Sequence, residues 1–277
     1  MNKKYNKKAS KENNSEMGFN KPRKSLGQNF LQDSNIIRKI VESVSIKQED
    51  TIIEIGPGRG ALTEQILPLT RHCHVIEFDR DLIEYWQQRA ESCRNLTVHP
   101  FDILKFDLQS IIDAANGDIK VIGNLPYNIS SPVMFHLMQY AEHLTSQTVM
   151  LQKEVIDRMV ASSGNKQYGR LSVMLQQCYT IERLFKVPAN AFFPPPKVES
   201  AIARLTNLPA IEVAVNDQVM FARLVKQAFS QRRKTLRNTL KGLLTEEEIS
   251  SVGVDPVARA ETLSVKKFVE LSNLCLT

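Results

Sequence analysis

Cysteine is scarce and scattered. Cys73, Cys93, Cys178 and Cys275 are the four in the chain, and none forms a CxxC pair. Neither a zinc knuckle nor a disulfide framework follows from such spacing, and four reduced thiols are expected. His72 and His74 alternate on a predicted strand, but apart from Cys73 on the opposite face no carboxylate or thiolate stands at ligand spacing, so no metal is expected. Long apolar runs are missing too. The longest, within residues 62–69 and 131–138, fall well short of the ~20 residues a membrane span needs. No segment has the form of a secretory core, so a cytoplasmic protein with no membrane partner is expected.

What is present is enough apolar material, 42% of 277 residues, for one large domain and a small one. The formal net charge of +6 is unevenly placed: residues 1–30 carry eight Lys/Arg against Glu12 and Glu16, which accounts for the whole excess. Up to about Met17 this arm is rich in Lys, Asn and Ser without apolar periodicity. Such a segment buries too little surface to offset its ordering entropy. It reads as a disordered arm that either touches phosphates or is a solvated extension.

From Thr51 to about Glu154, short apolar runs alternate with helical-period segments, the pattern of a parallel sheet flanked by helices. Residues 51–55, 73–78, 95–102, 119–127 and 147–154 read as strands, with helices at 61–69, 79–91 and 131–144. Two further strands, around 180–188 and 200–208, flank a Pro-rich loop and predict an antiparallel hairpin closing the sheet edge. After Leu208 only helix signals remain. The fold expected is α/β, a Rossmann-like, doubly wound, mostly parallel sheet with a terminal hairpin, plus a small all-α C-terminal domain. The boundaries are a basic arm over 1–22, the sheet domain over 23–208 and the helical domain over 209–277.

The run Glu54-Ile55-Gly56-Pro57-Gly58-Arg59-Gly60 lies between a predicted strand and helix, where glycines let the backbone turn sharply and approach a ligand. The spacing is GxGxG, and alone it is weak. The second strand ends in Glu77, twenty-one residues after Gly56, where a carboxylate can accept from both ribose hydroxyls. Asp102, ending the third, can pair with the amino group of an adenine ring. A dinucleotide oxidoreductase would use similar geometry, and the fourth strand decides between them with Asn124-Leu125-Pro126-Tyr127.

The exocyclic amine of adenine is a poor nucleophile because its lone pair is delocalised into the ring. The Asn124 side-chain oxygen and the Leu125 carbonyl can accept its two hydrogens and favour the pyramidal form. Pro126 fixes the backbone, and Tyr127 can stack on the base and hold the nucleophile in line with a sulfonium methyl. No general base is needed at the start, since the proton becomes acidic only after nitrogen is alkylated. In isolation the tetrapeptide also fits an ordinary strand exit, with Asn124 capping the next helix.

These residues, with the longer runs at 27–31, 54–63, 75–82, 124–130, 150–161, 192–200 and 227–238, closely resemble the ribosomal RNA adenine dimethyltransferases, and within them the small-subunit branch. The resemblance spans about residues 23–270. It implies S-adenosylmethionine as cofactor. Asn29, Leu31 and Gly56 would meet its methionine portion, Glu77 the ribose, Asp102 the adenine and Asn124 the transfer centre. It also implies that Phe192, in the FxPxPxVxS pattern with Pro194, Pro196, Val198 and Ser200, stacks on the target base opposite Tyr127, with Phe193 in the variable slot. Without the family match Phe192 is as readily a core aromatic under the hairpin.

Between Arg223 and Lys241 there are seven Lys/Arg and no acid. On a helical wheel Arg223, Lys226, Arg233, Arg237 and Lys241 share one stripe, with Phe221, Leu224, Val225, Ala228, Leu236 and Leu240 broadly opposite. An amphipathic helix with a cationic ridge is expected, which together with Lys234 would contact RNA backbone. Arg232 falls on the apolar side of an ideal wheel, so pairing across the domain interface is expected of it instead.

The resemblance implies dimethylation of two adjacent adenosines near the 3′ end of small-subunit (16S) rRNA, with a part in small-subunit biogenesis and a monomer as the working form. The alternatives are a large-subunit enzyme of the macrolide-resistance type and a mainly non-catalytic assembly checkpoint factor.

Overall fold

The computed structural model describes residues 23, 28–208 and 214–275. The basic arm over 1–22 and the chain just after the expected boundary at 208 lie outside the described residues. Two compact units emerge: residues up to Asn128 with Ala189–Lys197, and Ile129–Pro188 with Val198–Thr277.

The strands are β1 (Phe30–Leu31), β2 (Thr51–Ile55), β3 (His72–Ile76), β4 (Leu96–His99), β5 (Ile119–Asn124), β6 (Ser146–Gln152), β7 (Tyr179–Val187), β8 (Phe192–Phe193) and β9 (Ser200–Asn207). In the first unit the order is β4-β3-β2-β5, all parallel. Every residue of β2 is buried, as a central parallel strand covered on both faces requires. β1 pairs antiparallel with β8, Leu31 opposite Phe192 and Phe30 opposite Phe193. The helix Ser34–Val44, which the sequence reading did not pick out, starts on Asp33, whose side chain accepts from the N–H groups of Asn35 and Ile36. It buries Ile40, Val41 and Val44. Asp79 caps the helix Arg80–Glu91 in the same way, and Trp86 from that helix is fully buried.

In the second unit the order is β6-β9-β7, both pairs antiparallel. β7 and β9 thus form the hairpin expected from the sequence, with β9 as the inner strand. The α/β class is therefore the observed one. The helical residues 214–275 have an apolar core of Phe221, Leu224, Val225, Leu236, Leu240 and Phe268, each fully buried. That same core takes in Ala161, Tyr168, Val173 and Met174, all from before residue 208. The second unit therefore spans the composition change near residue 208.

One expectation fails. The single long helix through Arg223–Lys241 is instead a helix over Gln218–Ala228, a turn, and a short helix over Leu236–Thr239. The break has a tertiary cause. Leu236 N–H donates to the Ala258 carbonyl at 2.8 Å and Arg237 N–H to the Pro256 carbonyl at 3.0 Å, so neither is available for a continuous i to i−4 ladder. A wheel drawn across both pieces therefore aligns residues that do not share a face.

Candidate active site

The register of the parallel strands sets the site. Ile55 lies opposite Ile76 on one side and Gly123 on the other, so the next residues along, Gly56, Glu77 and Asn124, leave the sheet at one level. Parallel sheets bind ligands at this carboxyl edge. Gly56, Gly58 and Gly60 all have positive φ, 66°, 56° and 85°. At Gly56 a Cβ would meet nothing within 4 Å, so the demand there is for backbone conformation, not space. Gly123, which the sequence reading passed over, is the opposite case: its Cβ would lie 2.8 Å from the Ile55 carbonyl oxygen. The turn is tied down from outside, with Trp86 Nε1 donating to the Gly58 carbonyl at 3.0 Å.

Glu77 is buried to 7% exposure. Its Oε1 accepts from the N–H groups of Phe78 and Asp79, each at 2.9 Å, and Oε2 accepts from Gly58 N–H at a longer 3.3 Å. Burial raises its pKa, while those backbone N–H groups oppose the rise. A carboxylate oxygen carries more than one lone pair, and Oε2 keeps acceptor capacity for a diol, which is the fit expected of a nucleoside ribose. Asp102 is half-buried and caps the short turn Ile103–Lys105 by accepting from Leu104 N–H at 3.0 Å.

Behind the turn, Glu54 is buried to 1% exposure and accepts from the Thr63 hydroxyl at 2.7 Å. Burial pushes its pKa up to about 8. It is held as a neutral acid near neutrality and braces the start of the helix after the glycine turn.

Asn124 is half-buried, and its Nδ2 donates to the Asn29 carbonyl at 2.9 Å. Only the amide nitrogen can make that bond, since the reverse orientation would set two oxygens together. Asn29, 95 residues away in sequence, therefore fixes which way the carboxamide faces. Leu125 is buried to 1% exposure, which anchors the backbone just after Asn124. Tyr127 is half-buried. Leu31 is buried beneath β8 and Gly56 N–H donates to the Ile76 carbonyl at 2.9 Å. The residues named for cofactor and catalysis all belong to the first unit.

Phe192 is buried, at 4% exposure, and pairs with Leu31 across β8 and β1, while Phe193 is 48% exposed. Contact between Phe192 and a base requires its ring to leave that buried position. The open aromatic face beside it is that of Phe193.

Arg223, Lys226, Arg233, Lys234, Arg237 and Lys241 are all exposed, though on two helices and a turn. Arg237 lies 3.8 Å from Glu246, a long surface pair of little energetic weight. Arg232 is exposed, donates to the Lys166 carbonyl at 2.6 Å and pairs with Glu261 at 3.2 Å. His74 Nδ1 lies 3.0 Å from His99 Nε2, and burial lowers the pKa of both rings, that of His74 to about 4. Among the described residues no group of three or more His, Cys, Asp or Glu is placed to hold a metal, and no helix is long and apolar enough to cross a membrane.

Comparison with known proteins adds three findings. The family model "Ribosomal RNA adenine dimethylase" matches residues 19–276. Proteins named "Ribosomal RNA small subunit methyltransferase A" from Chromobacterium violaceum and Thiobacillus denitrificans are 48% and 49% identical, over 91% and 89% of this chain and 95% of each of theirs. Among solved structures, a dimethyladenosine transferase from Plasmodium falciparum aligns with a TM-score of 0.73 at 26% identity, over 87% of this chain and 95% of that one. The 23S rRNA methyltransferase ErmE aligns at 0.68 and 22% identity, over 90% of this chain and the whole of that one, a likeness of fold alone.

Proposed function

The chain belongs to the ribosomal RNA adenine dimethylase family, and from that premise we propose that it transfers two methyl groups to each of two adjacent adenosines near the 3′ end of small-subunit rRNA, with Asn124 shaping the nucleophile. It is an S-adenosylmethionine-dependent enzyme. Relatives at 48–49% identity carry the small-subunit name, which favours this substrate over the large-subunit one.

A single observation supports the assignment of chemistry, the bond from Asn124 Nδ2 to the Asn29 carbonyl. It turns Oδ1 away from Asn29 as an acceptor of fixed direction. Oδ1 and the Leu125 carbonyl take the two amine hydrogens, which draws the lone pair out of conjugation with the ring. Tyr127 stacks on the base and aligns the nitrogen, and Phe192 is the partner ring once uncovered. S-adenosylmethionine, when bound, supplies a methyl group on a sulfonium. Glu77 accepts from the ribose hydroxyls, Asp102 from the adenine amine, and Asn29, Leu31 and Gly56 line the methionine end beside Asn124. The spent proton leaves after alkylation, so the site does without a base. Arg223, Lys226, Arg233, Lys234, Arg237 and Lys241 bind rRNA phosphates, and the protein works as a monomer in the cytoplasm.

The test is mass mapping of modified nucleotides after undermethylated small subunits are incubated with the protein and S-adenosylmethionine. Two neighbouring adenosines, each dimethylated, are expected. Modification of large-subunit rRNA alone, or of no adenine, overturns the reading.

A further inference from the structure

Asp79 has no part in the chemistry above, yet it is buried to 5% exposure and every polar group on it is engaged. Its N–H donates to Glu77 Oε1 at 2.9 Å. Its Oδ1 accepts from Asp81 N–H at 3.2 Å, capping the helix Arg80–Glu91, and pairs with Arg23 Nη1 at 2.9 Å. Its Oδ2 accepts from Gln28 Nε2 at 2.7 Å. The two partners are themselves joined, since Arg23 N–H donates to Gln28 Oε1 at 2.8 Å, and Arg23 Nη2 reaches Asp81 at 2.6 Å.

Gln28 is therefore held at both ends of its carboxamide, with its nitrogen on Asp79 and its oxygen on the Arg23 backbone N–H. One peptide further on, the Asn29 carbonyl receives the Asn124 amide. Charge-assisted bonds to a buried carboxylate are stronger and shorter than neutral ones, so Asp79 is a firm anchor for Gln28, the residue directly before Asn29.

We propose that Asp79, acting through Gln28, is a positioning residue for methyl transfer: it fixes the Asn29 carbonyl so that the Asn124 carboxamide presents Oδ1 to the target amine. The proposal rests on the role given above to Asn124. It also gives one residue a hand in both halves of the site, because the same Asp79 orients the Glu77 carboxylate through its backbone.

A double-mutant cycle in the full-length protein separates this from a structural role, using single-turnover methyl transfer to undermethylated small subunits and equilibrium titration of S-adenosylmethionine. Gln28→Ala leaves the helix cap and the Glu77 contact untouched, so a folded protein is expected, checked by thermal unfolding. It should lower the transfer rate about tenfold, the scale of a modest misplacement of a reacting group, while cofactor affinity stays within ~3-fold. In an Asn124→Ala background the same change should have almost no further effect, since residues acting as a unit are non-additive. Asp79→Ser, which keeps a capping oxygen and the backbone N–H that meets Glu77 but loses the carboxylate, should follow Gln28→Ala in rate with cofactor affinity likewise within ~3-fold. Equal losses from Gln28→Ala in both backgrounds, a loss confined to cofactor affinity, or no loss at all would each overturn the proposal while leaving Asn124 in place. If Asn124→Ala itself turns over within a few-fold of the parent, the role of Asn124 falls, and this inference with it.

Discussion

The sheet unit and the helical residues 214–275 handle their polar groups in opposite ways. In the sheet unit Glu77 and Asp79 are buried and held by main-chain and charge-assisted hydrogen bonds, and Asn124 is oriented by one main-chain carbonyl. In the helical residues Arg223, Lys226, Arg233 and Lys234 are exposed above an apolar floor of Phe221, Leu224 and Val225. Methyl transfer needs donors and acceptors placed within a fraction of an ångström before the substrate arrives. Phosphate binding needs positive charge near a polyanion, and tolerates side chains that find their own geometry. Order is concentrated where the chemistry demands it.

This contrast can be broken at several points. The largest effect is expected at Asn124: Asn124→Ala should lower single-turnover methyl transfer by about 100-fold or more, ~2.7 kcal/mol in the barrier, with S-adenosylmethionine affinity nearly unchanged by calorimetry. Glu77→Ala should do the reverse. Losing a buried charge-assisted acceptor is worth roughly 1.5–3 kcal/mol, so cofactor affinity should fall by about 10- to 100-fold, and an unaltered calorimetric Kd would remove Glu77 from the ribose.

Phe192→Ala should cost about 3 kcal/mol in chemical denaturation, the price of emptying a buried aromatic site, whereas Phe193→Ala should leave the midpoint nearly unmoved. Similar midpoints for the two would show that Phe192 is not the core residue its burial indicates. Arg233→Gln with Lys234→Gln should weaken small-subunit binding and flatten the dependence of log K on log salt by about one to two units. Superimposable salt curves would move the RNA contact elsewhere.

The last effect concerns pH. Glu54 in the folded protein keeps its proton up to about pH 8, while its ordinary value is 4.5. The folded state thus holds the extra proton between those values, and stability contributed by this group declines as pH rises through that window. Glu54→Gln should flatten the decline in a series of unfolding curves taken between the two pH values, and an unchanged slope would mean that Glu54 ionises normally.

Local signals were the legible ones. The glycine turn, Glu77 and Asn124 each sit at a strand end, and strand ends are marked by a change of period within a few residues, so both the α/β class and the line of site residues followed from the sequence. The rest depends on partners far away along the chain. Gln28 stands beside Asn29 in the sequence, but its contact with Asp79 spans 51 positions. Beyond Ala228 the chain turns, and the Leu236 and Arg237 N–H groups meet the Ala258 and Pro256 carbonyls, which no wheel contains. Phe192 lies in a two-residue strand paired with β1, too short to carry a strand pattern.

The most direct test is a crossed one: Asn124→Ala and the Arg233→Gln, Lys234→Gln double variant, each measured for small-subunit affinity and for single-turnover methyl transfer at saturating subunit and cofactor. The account requires Asn124→Ala to lose rate at parental affinity and the double variant to lose affinity at the parental saturated rate. If Asn124→Ala binds subunits weakly but transfers normally once saturated, the oriented amide is a binding contact and the chemistry lies with other residues.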